Sequence, residues 1–295
     1  MGKTTKLMRS RLRTYPAWFT IPLAVIFLTL FVAPTLTSFY YALQRWTLFD
    51  TTFIGLDNFK LFFQDPFLLG GVVHTFIYAF LTSGLKVLLG MFFGVVLMSN
   101  IKFRALLRNI VFFPVLVSTI GVGITFSQLL KPNVGLLDQA LKVFGLPAEG
   151  ALGNVNTALY AVVAVDVWKG VGLATVIFIA GMAAIPQEYY EAAKVDGVSA
   201  FQNFRHIILP LLRPATNTVI VLSLIGGLRT FDLIWAMTGG GPGFASDVLA
   251  SLVYKKYQAG FYGLSTAGNV IMFFLILALV VPLQRYLQKK EREIQ

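Results

Sequence analysis

Along the chain, long apolar runs alternate with short segments that hold nearly all of the charge. Six runs, at residues 17–41, 72–98, 106–130, 157–185, 214–238 and 264–287, are long enough to cross a hydrocarbon core that takes ~20 apolar residues. Helices are expected there, because a helix satisfies its own backbone hydrogen bonds in lipid. The pattern predicts an all-α integral membrane protein with six transmembrane helices. Lys3, Lys6, Arg9, Arg11 and Arg13 precede the first run, as basic residues do in a signal peptide. Its apolar part outlasts a secretory core of about 7–15 residues and ends without a small-residue cleavage site, so it reads as an uncleaved span. No inverted internal repeat is visible. The chain divides into residues 1–71 (tail, first helix and outer loop), residues 72–288 (a five-helix membrane domain) and a tail at 289–295.

One connection stands apart. The stretch from Glu191 to Pro214, EAAKVDGVSAFQNFRHIILPLLRP, lies between two apolar runs yet holds charge, a glycine and prolines. It belongs outside the lipid. Good helix formers from Glu188 to Asp196 end at Gly197, a residue type that accepts the left-handed conformation closing a helix. Ser199 can cap a second helix, which Pro210 is expected to stop. A solvated connector, or an amphipathic segment lying on lipid headgroups, is one reading of such a stretch. The residue order supplies another. Glu191, Ala192, Ala193, Gly197, Ile207, Leu209 and Pro210, with Asp196 beside the glycine, follow the spacing EAA, three residues, G, nine residues, I, one residue, LP.

That spacing resembles the cytoplasmic coupling loop, here residues 186–213, of the membrane subunits of binding-protein-dependent ABC importers. Phe53 to Pro66, FIGLDNFKLFFQDP, resembles the segment before the second span of sugar-type permeases and predicts a short amphipathic helix. Phe231 to Pro242, FDLIWAMTGGGP, is similar to an outer loop of the maltose and glycerol-phosphate uptake group, although a plain helix stop explains its glycines equally well. The resemblance implies the type I importer permease fold, with a helix-turn-helix docked in an ATPase subunit. It also implies a second homologous permease, two ABC ATPase subunits that hold ATP and Mg, and an extracytoplasmic solute-binding protein. The solute is then a sugar or related polar molecule, and this chain performs no chemistry and binds no cofactor. The setting is a bacterial or archaeal cytoplasmic membrane.

Composition agrees with the class: 57% of the 295 residues are hydrophobic and 13% charged, with mean hydropathy +0.75. Basic residues set the orientation. Fifteen lie in connections on the side of both termini and the EAA loop, among them Lys102, Arg104, Arg108, Lys194 and Arg205, against six on the other side, including Arg45, Lys60 and Lys256. Both termini are therefore expected in the cytoplasm. This bias accounts for the net charge of +11 without nucleic acid.

Several other signals lead nowhere. Gly2, Lys3 and Thr4 copy the end of a phosphate-binding loop but lack the upstream glycine and strand. The chain has no cysteine, and His74 and His206 fall at opposite membrane faces, which argues against a shared metal site. Gly90 and Gly94 suit close helix packing within the subunit.

Charge inside the spans is the remaining chemistry: Lys86, Asp166, Lys169, Arg229 and Asp232. Such charge normally faces a cavity or a partner. Asp166 and Arg229 both sit roughly 14 Å below the outer boundary at 1.5 Å per residue. Asp166, Lys169, Gly170 and Leu173 form one helical stripe, and Ser223, Gly227 and Thr230 another, with Asp232 three residues after Arg229. Laid on the maltose-type permease pattern, these positions resemble those lining a sugar pocket, though charged side chains here replace uncharged ones. Two other readings stay open: the pairs Asp166/Lys169 and Arg229/Asp232 as helix glue, or Asp166 and Asp232 as titrating carriers of an ion-coupled secondary transporter.

Overall fold

The computed structural model describes residues 17–47, 49–144 and 150–292. The basic N-terminal residues and Gly2–Thr4 lie outside them. Helix α1 (Trp18–Ala42) is followed by a β-ribbon of two strands, β1 (Gln44–Trp46) and β2 (Thr51–Phe53), paired antiparallel with Arg45 opposite Thr52. The sequence reading did not foresee this ribbon. Helix α2 (Asp57–Gln64) forms where a short amphipathic helix was expected. Asn58 on α2, buried, donates to the carbonyls of Ala42 and Gln44 at 2.9 and 2.8 Å and so holds the ribbon to the end of α1.

Helix α3 (Pro66–Met98) runs without interruption, capped by Asp65, whose carboxylate accepts from the Phe67 amide at 2.9 Å. Pro66 suits this first position, where its missing donor costs nothing. Helix α7 (Ala158–Ala183) and helix α13 (Tyr262–Arg292) are the other long uninterrupted spans. With α1 they make four helices each long and apolar enough to cross a membrane.

The third and fifth expected spans are not continuous. The third is split into α4 (Arg104–Leu116) and α5 (Thr119–Leu129), bent by 98°. Val117 is extended between them, three residues after Pro114, which withholds a helix hydrogen bond. Helix α6 (Leu136–Val143) follows in the outer connection. The fifth span becomes α10 (Arg213–Leu228) and α11 (Asp232–Thr238), with residues 229–231 non-helical between them. Sixteen residues make α10 only ~24 Å long, short of a ~30 Å core, so the crossing has to be completed by α11. The two outer halves meet: Gly123 on α5 lies against Ala236 on α11, so closely that a side chain at Gly123 would overlap it. With each broken span completed by its outer half, the described residues hold up to six spans.

At the centre, α7 packs on α3 through glycine. A Cβ at Gly90 would sit 2.6 Å from the Ala174 Cβ, and one at Gly94 3.0 Å from that of Phe178. The expected intrasubunit role of this pair is what the packing delivers. Beyond α11, Gly239 turns in the left-handed region (φ 57°) and the chain enters a polar latch. Asp247, fully buried, accepts from Ser251 Oγ at 2.7 Å and from Lys255 Nζ at 2.6 Å, both on α12 (Leu249–Gln258).

Candidate functional site

Two groups of residues hold the candidate chemistry, one beyond the membrane end of α7 and one at mid-depth. The first is a helix pair, α8 (Gln187–Val195) and α9 (Ala200–Leu211). Gly197 turns the chain between them at φ +69°. The Val198 amide reaches back across it to the Ala193 carbonyl at 3.1 Å, closing α8 as a Schellman motif. Nothing lies within 4 Å of where a Gly197 Cβ would stand, so the backbone conformation alone calls for glycine. Ser199 then starts α9 with a capping box: the Gln202 amide donates to Ser199 Oγ at 3.3 Å, and the Ser199 amide to Gln202 Oε1 at 3.0 Å.

Pro210 does not stop α9, contrary to expectation. The preceding turn, Phe204–Ile208, widens to π geometry, with the Leu209 amide bonded to the Phe204 carbonyl five residues back. The helix thereby passes the proline and ends at Leu211 before a 67° bend into α10. Leu212 at that bend is fully buried among Ala174, Phe178, Met182 and Val219. On the other side of the pair, the Tyr190 hydroxyl donates to the Met182 carbonyl at 3.2 Å, and burial pushes its pKa up. Both ends of the helix pair are thus fastened to α7.

The motif residues divide by exposure. Ala193 is buried, whereas Glu191, Ala192, Asp196 and Gly197 are exposed, and Ile207 and Pro210 lie half-buried. Glu191 accepts from Gln187 Nε2 at 2.8 Å. Around them Val195 and Phe201 stand 87% and 69% exposed, apolar surface that lacks a cover within the chain.

The second group is built from α3, α7 and the break at 229–231. Lys86 Nζ lies 2.7 Å from Asp166 Oδ2, both largely buried. Asp166 is therefore paired between helices rather than with Lys169 on its own. Gly170, one turn on from Asp166, gives the lysine its room, since a Cβ there would fall 2.6 Å from Lys86 Cε. Tyr78, fully buried two turns above Lys86, turns its hydroxyl towards Asp166 and Thr230 without a close hydrogen bond to either. Gly227 seats the break on α3, where its Cβ would come within 2.6 Å of Ala79 Cα.

The break separates residues expected on one helix. Ser223 and Gly227 belong to α10, Thr230 to neither segment, and Asp232 opens α11. Arg229 closes α10. Arginine thus stands at a helix C-terminus and aspartate at a helix N-terminus, each matched to the local end of the macrodipole. Arg229 and Asp232 are exposed and form no ion pair with each other; Lys169 is half-buried and Leu173 exposed. Phe231 packs against Trp235 and Tyr254, with ring centroids at 5.6 and 5.2 Å. Sequence reasoning had noted Lys86 as an intramembrane charge but left it out of the pathway, and it missed Tyr78. Neither helical spacing nor composition signals a partner on another helix. Among the described residues no group of three histidines or carboxylates gathers as a metal site.

Known proteins resemble the chain over most of its length. It is 34% identical over 263 residues to the trehalose/maltose transport system permease protein MalF of Thermococcus litoralis, covering 88% of this chain and 89% of that one. It is 30% identical over 284 residues to the sn-glycerol-3-phosphate transport system permease protein UgpA of Yersinia pestis, covering 94% and 95%. Among solved structures, a bacterial ABC transporter involved in import of the acidic polysaccharide alginate superposes with a TM-score of 0.79 at 21% identity, over 97% of this chain and 96% of that one, which is a likeness of fold. Residues 86–293 match the model of a transport family, and the chain belongs to it: the inner membrane components of binding-protein-dependent transport systems.

Proposed function

We propose that this chain is one of two permease subunits of an ATP-driven importer for a sugar or related polyhydroxylated solute. Two partner ATPase subunits hold ATP and Mg, and an external binding protein delivers the solute. The observation that carries the reading is the α8–α9 pair: it bears the EAA spacing, is capped at its turn, is fastened to α7, and leaves Val195 and Phe201 uncovered. Such a body can receive a push and pass it on. Closure of the ATPases would move α8 and α9, and with them α7 and α10, through Tyr190 and Leu212. The relatives named for trehalose/maltose and for glycerol 3-phosphate support the solute class.

The solute path is assigned to the half-helix ends around the break, with Asp166, Lys169, Gly170, Leu173, Ser223, Gly227, Arg229, Thr230 and Asp232 as its residues. Non-helical backbone at membrane depth is tolerated only within protein or along a water-filled cavity. The exposed, unpaired charges of Arg229 and Asp232 favour the cavity, as in transporters whose broken helices aim their ends at cargo. Coupling is assigned to Glu191, Ala192, Ala193, Asp196, Gly197, Ile207, Leu209 and Pro210. Both termini and this loop face the cytoplasm, and residues 72–288 act as the permease domain.

In vesicles containing the assembled importer and its binding protein, Glu191→Ala is expected to abolish solute uptake while ATP hydrolysis and assembly persist. Normal uptake by that variant would refute the coupling assignment. Arg229→Gln is expected to weaken uptake at unchanged protein level, and Asp166→Asn to weaken uptake together with stability, because it leaves the Lys86 ammonium unpaired. Uptake that survives ATP depletion at a clamped ion gradient would restore the ion-coupled alternative, which Asp166 serves poorly while Lys86 neutralises it.

A further inference from the structure

A cavity of about 570 Å³ lies away from this pathway. None of its lining residues belongs to α7, α10 or α11. It opens between the β-ribbon, α2 and the α12–α13 turn, on the membrane face opposite the EAA loop. Three spans begin or end around it: α1 at Ala42, α3 at Pro66 and α13 at Tyr262. That is the level of lipid headgroups.

Its lining is two-sided. Leu61, Leu264, Ile54 and Phe261 make an apolar wall, and Leu61 and Phe261 are 52% and 59% exposed at its rim. Trp46 forms part of an aromatic cluster, 4.5 Å from Tyr41 and 5.3 Å from Tyr262 between ring centroids, the composition of a membrane interface. On the polar side the carboxylates are already met. Asp65 pairs with Lys256 at 2.6 Å, and Asp57 with Lys60 at 2.9 Å. The Arg45 guanidinium, alone of the charges lining the cavity, has neither an ion pair nor a hydrogen bond among the described residues, which leaves one positive charge uncompensated beside an apolar wall. A group with a single negative charge, fork-matched to guanidinium and attached to hydrocarbon, completes both sides.

We propose that this cavity binds the phosphodiester headgroup of an anionic phospholipid, with Arg45 on the phosphate and the glycerol end of the acyl chains against Leu61 and Leu264. A water-filled docking pocket for a protein partner would have less use for the exposed apolar side chains of Leu61 and Phe261.

Trp46 lies in the cavity and reports on it. The assembled importer, in phosphatidylcholine vesicles doped with phosphatidylglycerol brominated near the headgroup, is compared with its Trp46→Phe variant, and the difference isolates Trp46 fluorescence. Brominated phosphatidylglycerol is expected to quench Trp46 at roughly fivefold lower mole fraction than brominated phosphatidylcholine. Arg45→Gln should remove that preference and Arg45→Lys should keep most of it, with thermal stability of both variants unchanged. Equal quenching by the two lipids in the wild type overturns the proposal, as does a preference that survives Arg45→Gln. Displacement by millimolar soluble glycerol phosphate would make it a site for free phosphate. Loss of binding-protein-stimulated ATP hydrolysis in Arg45→Gln, with lipid quenching unaltered, would assign the cavity to a protein partner.

Discussion

The helix pair beyond α7 and the polar cluster at mid-membrane are held together by contacts of opposite range. In the pair, Gly197, Ser199 and Gln202 decide the turn within six residues, and the geometry follows from their local bonds. In the cluster, Lys86 and Asp166 are 80 residues apart, and the break at 229–231 is held by Gly227 against α3, the helix that carries Lys86. A body fixed locally can shift as a unit without losing shape. A cluster fixed by distant parts loses its shape when any part leaves, which suits a pivot rather than a moving arm.

The largest effect that tests this contrast is expected at Lys86. Lys86→Met leaves Asp166 as a largely buried, unpaired carboxylate, at a cost of about 3–5 kcal/mol. The double variant Lys86→Met with Asp166→Leu should recover most of the loss, since two apolar side chains restore balance. Thermal unfolding of the assembled importer in detergent measures both, and a double variant no better than the single one would show that the pair is not the unit.

A smaller loss is expected at the turn. Gly197→Ala forces a Cβ into the left-handed region at about 1–2 kcal/mol. Because the loss is local, uptake should fall while the unfolding midpoint of the spans barely moves. Hydrogen exchange confined to residues 187–211 would register it, and protection lost throughout α7 would contradict local construction. Below that, Ser199→Ala removes half of the capping box for about 1 kcal/mol, and Ser199→Asp should recover it.

The smallest effect concerns Asp65, outside both regions. Burial alone would raise its pKa, but the hydrogen bond and charge of Lys256, with the Phe67 and Leu68 amides, outweigh it and hold the carboxyl below its ordinary value. The stability it contributes is present above its unfolded pKa, near 3.9, and is lost as pH falls through the lower folded value. Asp65→Asn should lower stability at neutral pH by that contribution and flatten the acid limb of the profile, the variant and the wild type converging as pH falls through that window.

The same difference in range governed what could be read from the sequence. The spans, the α2 helix, the Gly197 turn and the Ser199 cap are written in hydropathy and in single residues with strong local preferences. The passage of α9 through Pro210 was hidden, because a widened turn upstream has no residue code. The break in Leu228-Arg229-Thr230-Phe231-Asp232 contains neither glycine nor proline, so helical spacing ran straight through it. Lys86 could not be matched to Asp166 because five intramembrane charges admit several pairings until the helices are placed.

The separation between Lys86 and Asp166 also bears on how the protein is made. Helix α3 leaves the ribosome well before α7, and at about 5–20 residues per second the 80 intervening residues take roughly 4–16 s. Throughout that interval the Lys86 ammonium has no counter-charge, and its insertion is opposed by ~3 kcal/mol on the translocon scale. The 33 residues of α3, with a mean hydropathy of 2.0 in their most apolar window, have to carry it into the membrane unaided. The nascent chain therefore passes through a stage at which the Lys86 charge stands uncompensated in an unfinished bundle, and arrival of Asp166 ends it.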